Sequence, residues 1–115
     1  MAQIRFMKTH DMPFNQDDRF PSIKTKLLES RQSHAHASVI IAQIAPGGEI
    51  PRHIHAAESE TAYVLSGRGK LITDEGEYGF EPGVIVTIPA GLAHGVVNES
   101  GEPLEIFAFH TPPAR

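Results

Sequence analysis

Three histidines and a carboxylate stand at spacings that suit metal ligation. His53 and His55 are two residues apart, Glu60 follows the second by five, and His94 opens a later apolar stretch behind a Pro-x-Gly turn. On an extended strand alternate residues share a face, separated by two rises of the chain, roughly 6.7 Å. Two imidazoles on such a face can lean onto one ion at about 2.0–2.1 Å from each nitrogen. A carboxylate offsets part of the ion's charge. Glu60 can supply it if a short turn returns the chain beside the histidine pair, and Glu58 lies near enough to compete. A lone His-x-His is weak evidence. The chain has a second one, His34 and His36, with no carboxylate at a useful spacing, and it reads as the approach to the next strand. His10 reads as a surface residue.

The elements that must position these groups are short and extended. Residues 38–44 (SVIIAQI) form a near-continuous, β-branched apolar run that stops at Pro46-Gly47-Gly48. The same grammar repeats at 49–55, 60–67, 69–74, 78–83, 84–91, 94–102 and 103–110, with Asp74-Glu75-Gly76-Glu77 as a turn. Residues 23–30 favour strand through the alternation of Ile23, Thr25 and Leu27. Residues 1–22 read as an arm with one short strand, and 23–115 as a single barrel domain. Many short strands broken by Gly/Pro turns indicate an all-β sandwich or barrel.

Composition narrows the function. The 115 residues suit one domain, and a hydrophobic fraction of 40% supplies a core built on aliphatics, since aromatics are only 7%. A formal charge of -4 without a Lys/Arg run offers no footprint for nucleic acid or an anionic membrane. With no cysteine, disulfides, zinc–thiolate sites and thiol nucleophiles are excluded, which suits a cytoplasmic location. Any metal site must therefore use His and carboxylates, and seven histidines are available.

Two longer patterns add a resemblance. Gly47-x5-His53-x-His55-x4-Glu60-x6-Gly67 resembles the first cupin motif, and Gly83-x5-Pro89-x-Gly91-x2-His94-x3-Asn98 resembles the second, both without departure. The resemblance implies a double-stranded β-helix, or jelly roll, of two facing sheets. It also implies one divalent transition metal held by His53, His55, Glu60 and His94, with Glu60 rather than Glu58 fitting the spacing. Such a nitrogen- and oxygen-rich set suits iron, manganese, zinc, nickel, cobalt or copper and leaves open positions for chemistry. The motif glycines 47, 67, 83 and 91 should occupy positive φ or close approaches, and Asn98 should tie a turn.

The resemblance carries functional expectations too. The chain is expected to be a metal-dependent enzyme on a small oxygenated metabolite, by dioxygenase-like or sugar/keto isomerase-like chemistry. The alternative is a non-catalytic barrel that binds or senses a small molecule. Glu60 and His110 are the candidates for proton transfer. In small cupins the last strand lines the pocket, which also brings in Phe107 and Arg115. Gln43 and Tyr63 either support the ligands from behind or face outward. Exposed sheet edges need cover, so a homodimer is expected.

Overall fold

The computed structural model describes residues 2–115. A 3-10 turn (Thr9–Asp11) precedes ten strands: β1 (Asn15–Gln16), β2 (Ile23–Glu29), β3 (Ser38–Ile44), β4 (Glu49–His53), β5 (Ser59–Ser66), β6 (Gly69–Thr73), β7 (Gly76–Phe80), β8 (Ile85–Ile88), β9 (His94–Val97) and β10 (Leu104–Thr111). They form two antiparallel sheets, one of six strands in the order β1-β2-β3-β10-β5-β8, the other of four in the order β4-β9-β6-β7. This is the jelly roll expected. Strand boundaries follow the Gly/Pro punctuation closely, with one local difference. β7 begins at Gly76, inside the stretch read as a turn, because the Gly76 backbone pairs with Thr73 across a tight hairpin.

The core lies between the sheets and is filled by the inward alternation of the strands. Ile40, Ala42 and Ile44 from β3 and Leu104, Ile106 and Ala108 from β10 meet Leu71, Phe80 and Val96 from the four-stranded sheet. Few of these side chains are aromatic, so aliphatic packing carries most of the buried area.

All four motif glycines have positive φ, from 74° at Gly47 to 91° at Gly83. Gly67 is doubly constrained: a Cβ there would sit 2.2 Å from the Pro103 carbonyl oxygen. That contact lets β5 turn into β6 against the start of β10.

The arm folds back on the six-stranded sheet. β1 pairs with β2, Lys26 Nζ donates to the Thr9 carbonyl at 2.6 Å, and the same ammonium sits 4.5 Å from the Phe14 ring centroid. Arg5 reaches Glu29 at 2.7 Å. No helix among the described residues is long and apolar enough to cross a membrane.

Asn98 is 1% exposed and fastens two turns. Its side-chain amide donates to the carbonyls of Ile44 (3.1 Å), Ala45 (3.2 Å) and Glu102 (2.7 Å), while its oxygen accepts from the Ser100 backbone and hydroxyl. Asn98→Leu fills similar space but strands buried carbonyls. It is expected to cost about 3 kcal/mol, read as a lower midpoint in urea with an unchanged slope.

Candidate metal centre

The candidate ligands are delivered by two cross-strand pairs, one on each sheet. In the four-stranded sheet His53 of β4 lies opposite His94 of β9. In the six-stranded sheet Glu60 of β5 lies opposite His110 of β10. The two pairs face each other across the barrel, and His55 completes the set from the loop after β4.

Two details differ from the expectation. β4 ends at His53, so His55 is not on the strand. The two Nε2 atoms nevertheless come within 3.2 Å, because the loop turns the second ring toward the first. Nor does Glu60 return beside the histidine pair. The segment 54–58 crosses from one sheet to the other, and the carboxylate reaches the imidazoles from the opposite wall.

The donor atoms converge. Glu60 Oε1 lies 3.4 Å from His55 Nε2, 3.3 Å from His94 Nε2 and 3.2 Å from His110 Nε2. One donor atom from each of His53, His55, Glu60 and His94 falls within 4.8 Å of all the others. Adjacent ligands about 2 Å from a common ion stand about 3 Å apart, which is the spacing seen. The tautomers also fit. His53 Nδ1 donates to the Pro51 carbonyl at 2.8 Å and His94 Nδ1 to the Leu92 carbonyl at 3.0 Å. Each ring therefore turns an unprotonated Nε2 toward the centre, the orientation a metal requires. Lone pairs aimed together at a carboxylate repel unless a cation lies among them, so the residues present fit a divalent ion.

Burial pushes the Glu60 carboxyl up, but contacts from His110, His55 and His94 outweigh it and hold the group well below the usual carboxylate range. Burial lowers His53, and the neighbouring His94 and His55 reinforce that against the Pro51 carbonyl. His94 is shifted upward: burial opposes, but Glu60 and the Leu92 carbonyl prevail.

His110 belongs to the same cluster without being one of the four converging groups. It is 5% exposed, and its Nδ1 is buried without a hydrogen-bond partner. The bare nitrogen is best left as a lone pair, which makes Nε2–H the donor to Glu60.

The other candidates fall elsewhere. Gln43 faces outward and contacts Glu105 at 3.4 Å, and Tyr63 and Phe107 pair with each other on the same outer face. His34 Nδ1 accepts from the backbone N–H groups of His36 (3.0 Å) and Ala37 (3.1 Å), so that ring caps a turn. Glu58 holds the Ala57 N–H at 3.2 Å. His10 is exposed and lies 3.4 Å from Asp11.

A cavity of about 70 Å³ adjoins the centre, and the arm helps to enclose it. Asp17, Arg19 and Phe20 line it, as does Arg115. The Phe20 ring lies 5.8 Å from that of His53. Asp17 accepts from the N–H groups of Arg19 (2.9 Å) and Phe20 (3.1 Å) and from Arg115 Nη1 at 3.2 Å. Burial raises its carboxyl, but these donors more than offset that and the net shift is downward. Sequence reasoning missed the arm's share. An Asp-x-Arg-Phe stretch in a polar segment carries no periodicity that would assign it to a pocket.

Comparison with known proteins agrees with this geometry. A glucose-6-phosphate isomerase of Thermococcus gammatolerans is 38% identical over 63 residues, covering 50% of this chain and 33% of that protein. The chain spans about a third of the length of this relative and of similar plant proteins. Among solved structures, a predicted oxalate decarboxylase of Thermotoga maritima superposes with a TM-score of 0.85 at 18% identity, over 94% of this chain and 99% of that one. KdgF from a Halomonas species superposes with a TM-score of 0.80 at 20% identity, over 96% and 94%. Likeness at those identities speaks for the fold alone. The cupin domain model matches residues 40–110, more than half of the chain and all four converging groups, so this chain belongs to the cupin family.

Proposed function

We propose that this chain is a metal-dependent enzyme that moves a proton next to a carbonyl group on a small oxygenated metabolite, in the manner of a sugar or keto isomerase. The observation that carries the reading is the pairing of a ligand set with a further buried imidazole, His110, on the same carboxylate oxygen. The isomerase relative supports it.

His53, His55, Glu60 and His94 would hold a divalent ion, which would supply Lewis acidity at a bound carbonyl and acidify the adjacent C–H. The chain's own residues do the rest. Glu60 turns Oε1 to the imidazoles, and its other oxygen makes no hydrogen bond among the described residues. That oxygen is the proton carrier. His110, donating through Nε2–H, fixes the carboxylate. Aliphatic side chains and Phe20 line the cavity around the centre.

The outer face of the six-stranded sheet supports a proposal for assembly. Tyr63, Leu65 and Ile85 are exposed there beside half-buried Phe107 and Phe109, and Ile4 and Phe6 project from the arm at 92% and 81% exposure. Apolar surface of this kind is suited to a twofold partner. We infer a homodimer and propose a cytoplasmic location.

Three measurements test these readings. Changing His53 and His55 together to Ala should abolish stoichiometric metal, measured by elemental analysis, with the β-sheet circular dichroism retained. Metal kept by that variant puts the site elsewhere. In the parent protein, affinity should fall as pH is lowered through the His94 value, which lies above the ordinary 6.5. Protonation at Nε2 competes with the ion, so flat titrations between pH 8 and pH 5.5 contradict imidazole ligation.

For the chemistry, metal-loaded protein in D2O should exchange protons adjacent to the carbonyl of hydroxyacetone or pyruvate, followed by NMR. His110→Asn should retain metal and slow exchange about 100-fold. Oxygen consumption without exchange identifies a dioxygenase, and binding without exchange a non-catalytic barrel. Light scattering should give twice the monomer mass; a monomer at micromolar concentration refutes the dimer.

A further inference from the structure

The function proposed above leaves the charged group at the cavity mouth unexplained. Arg19 and Arg115 both line the cavity that holds the metal centre, and both lie outside the residues matched by the family model. Asp17 sits between them. Its side chain is 2% exposed, and it accepts the two backbone N–H groups through Oδ2 and the Arg115 guanidinium through Oδ1. Its acceptors are thus taken up in building the mouth.

The guanidinium groups are not used up. Arg115 spends one nitrogen on Asp17 and has no other side-chain hydrogen bond among the described residues, which leaves most of its donor fork free. Arg19 makes no ion pair among the described residues, and its guanidinium carbon lies 5.1 Å from the Phe20 ring centroid, on the ring that neighbours His53. Phe20 thus contacts both Arg19 and the His53 ring at the cavity lining.

We infer that Arg19 and Arg115 form a recognition site for the carboxylate of a small monoanionic oxo- or hydroxyacid, with Asp17 as the positioning residue for Arg115. This deepens, and rests on, the proposed function: the anion is held at the mouth while the neighbouring carbonyl or hydroxyl faces the metal ligands. Geometry favours carboxylate over phosphate: the planar fork of Arg115 suits two coplanar oxygens, and a cavity of about 70 Å³ suits a short molecule.

The test titrates full-length protein with pyruvate, with pyruvamide, its neutral near-isostere, and with dihydroxyacetone phosphate, following amide chemical shifts by NMR. Pyruvate should bind most tightly of the three. Arg19→Met and Arg115→Met should each weaken pyruvate about tenfold to a hundredfold while pyruvamide changes less than twofold and metal content stays the same. Arg115→Met strands Asp17, so Arg115→Lys, which keeps the charge without the fork, is measured beside it and should lose affinity by a smaller factor. Asp17→Asn raises the net charge at the mouth and should shift preference toward dihydroxyacetone phosphate. Equal binding of pyruvate and pyruvamide, preference for the phosphate by the parent protein, or unchanged affinity in Arg19→Met and Arg115→Lys overturns the inference. Repeating the titration after chelation separates the two readings. If the protein never binds metal yet prefers pyruvate over pyruvamide, the metal reading fails and the carboxylate site stands.

Discussion

A single buried carboxylate organises this molecule. Glu60 is taken out of water between two sheets, and burying a charge is costly unless partners compensate. His110 Nε2–H donates to one of its oxygens at 3.2 Å, and a cation among the ring nitrogens that stand within 3.4 Å of that oxygen would supply the rest. Because the partners come from both walls of the barrel, the carboxylate couples the sheets, and their positions set the geometry of the ligand set.

The fold is arranged around that requirement. The inward alternation of β5 and β10 that packs Ala62 and Ala108 in the core also places Glu60 and His110 side by side at the far end of the same strands. The pairing of β4 with β9 does the same for His53 and His94. One end of the barrel is thus polar and the rest aliphatic; β5 and β10 run regularly between the two, while β4 carries a register shift between Ile50 and His53. Backbone carbonyls two residues before His53 and His94 then set the tautomers, so a local feature of the chain prepares the nitrogens for an ion. The arm closes the mouth with charged groups of its own, which separates the part that performs chemistry from the part that selects what enters.

Much of this was legible from residue order. Gly and Pro marked the strand ends because positive φ and fixed φ have few other uses, and β3 coincides with the apolar run 38–44. The ligand types were legible through the motif spacing. Proximity in order misled at Glu60, where a short connection looked like a return to the same strand. A five-residue segment can as easily bridge two sheets about 10 Å apart, and nothing in its composition distinguishes the two paths. It misled again for His55, since alternation holds only while a strand lasts.

The chain by itself determined which atoms could bind a cation, where its strands break and that no thiol takes part, because these depend on residue type and local backbone preference. Only the tertiary structure decided that Glu60 and the histidines meet from opposite walls, that His110 shares their carboxylate while Phe107 turns outward, and that Asp17 joins Arg115 at the cavity mouth. The physical reason is that strand parity and sheet facing are set by the packing of the whole core. A one-residue difference in register would send each of these side chains to the other face.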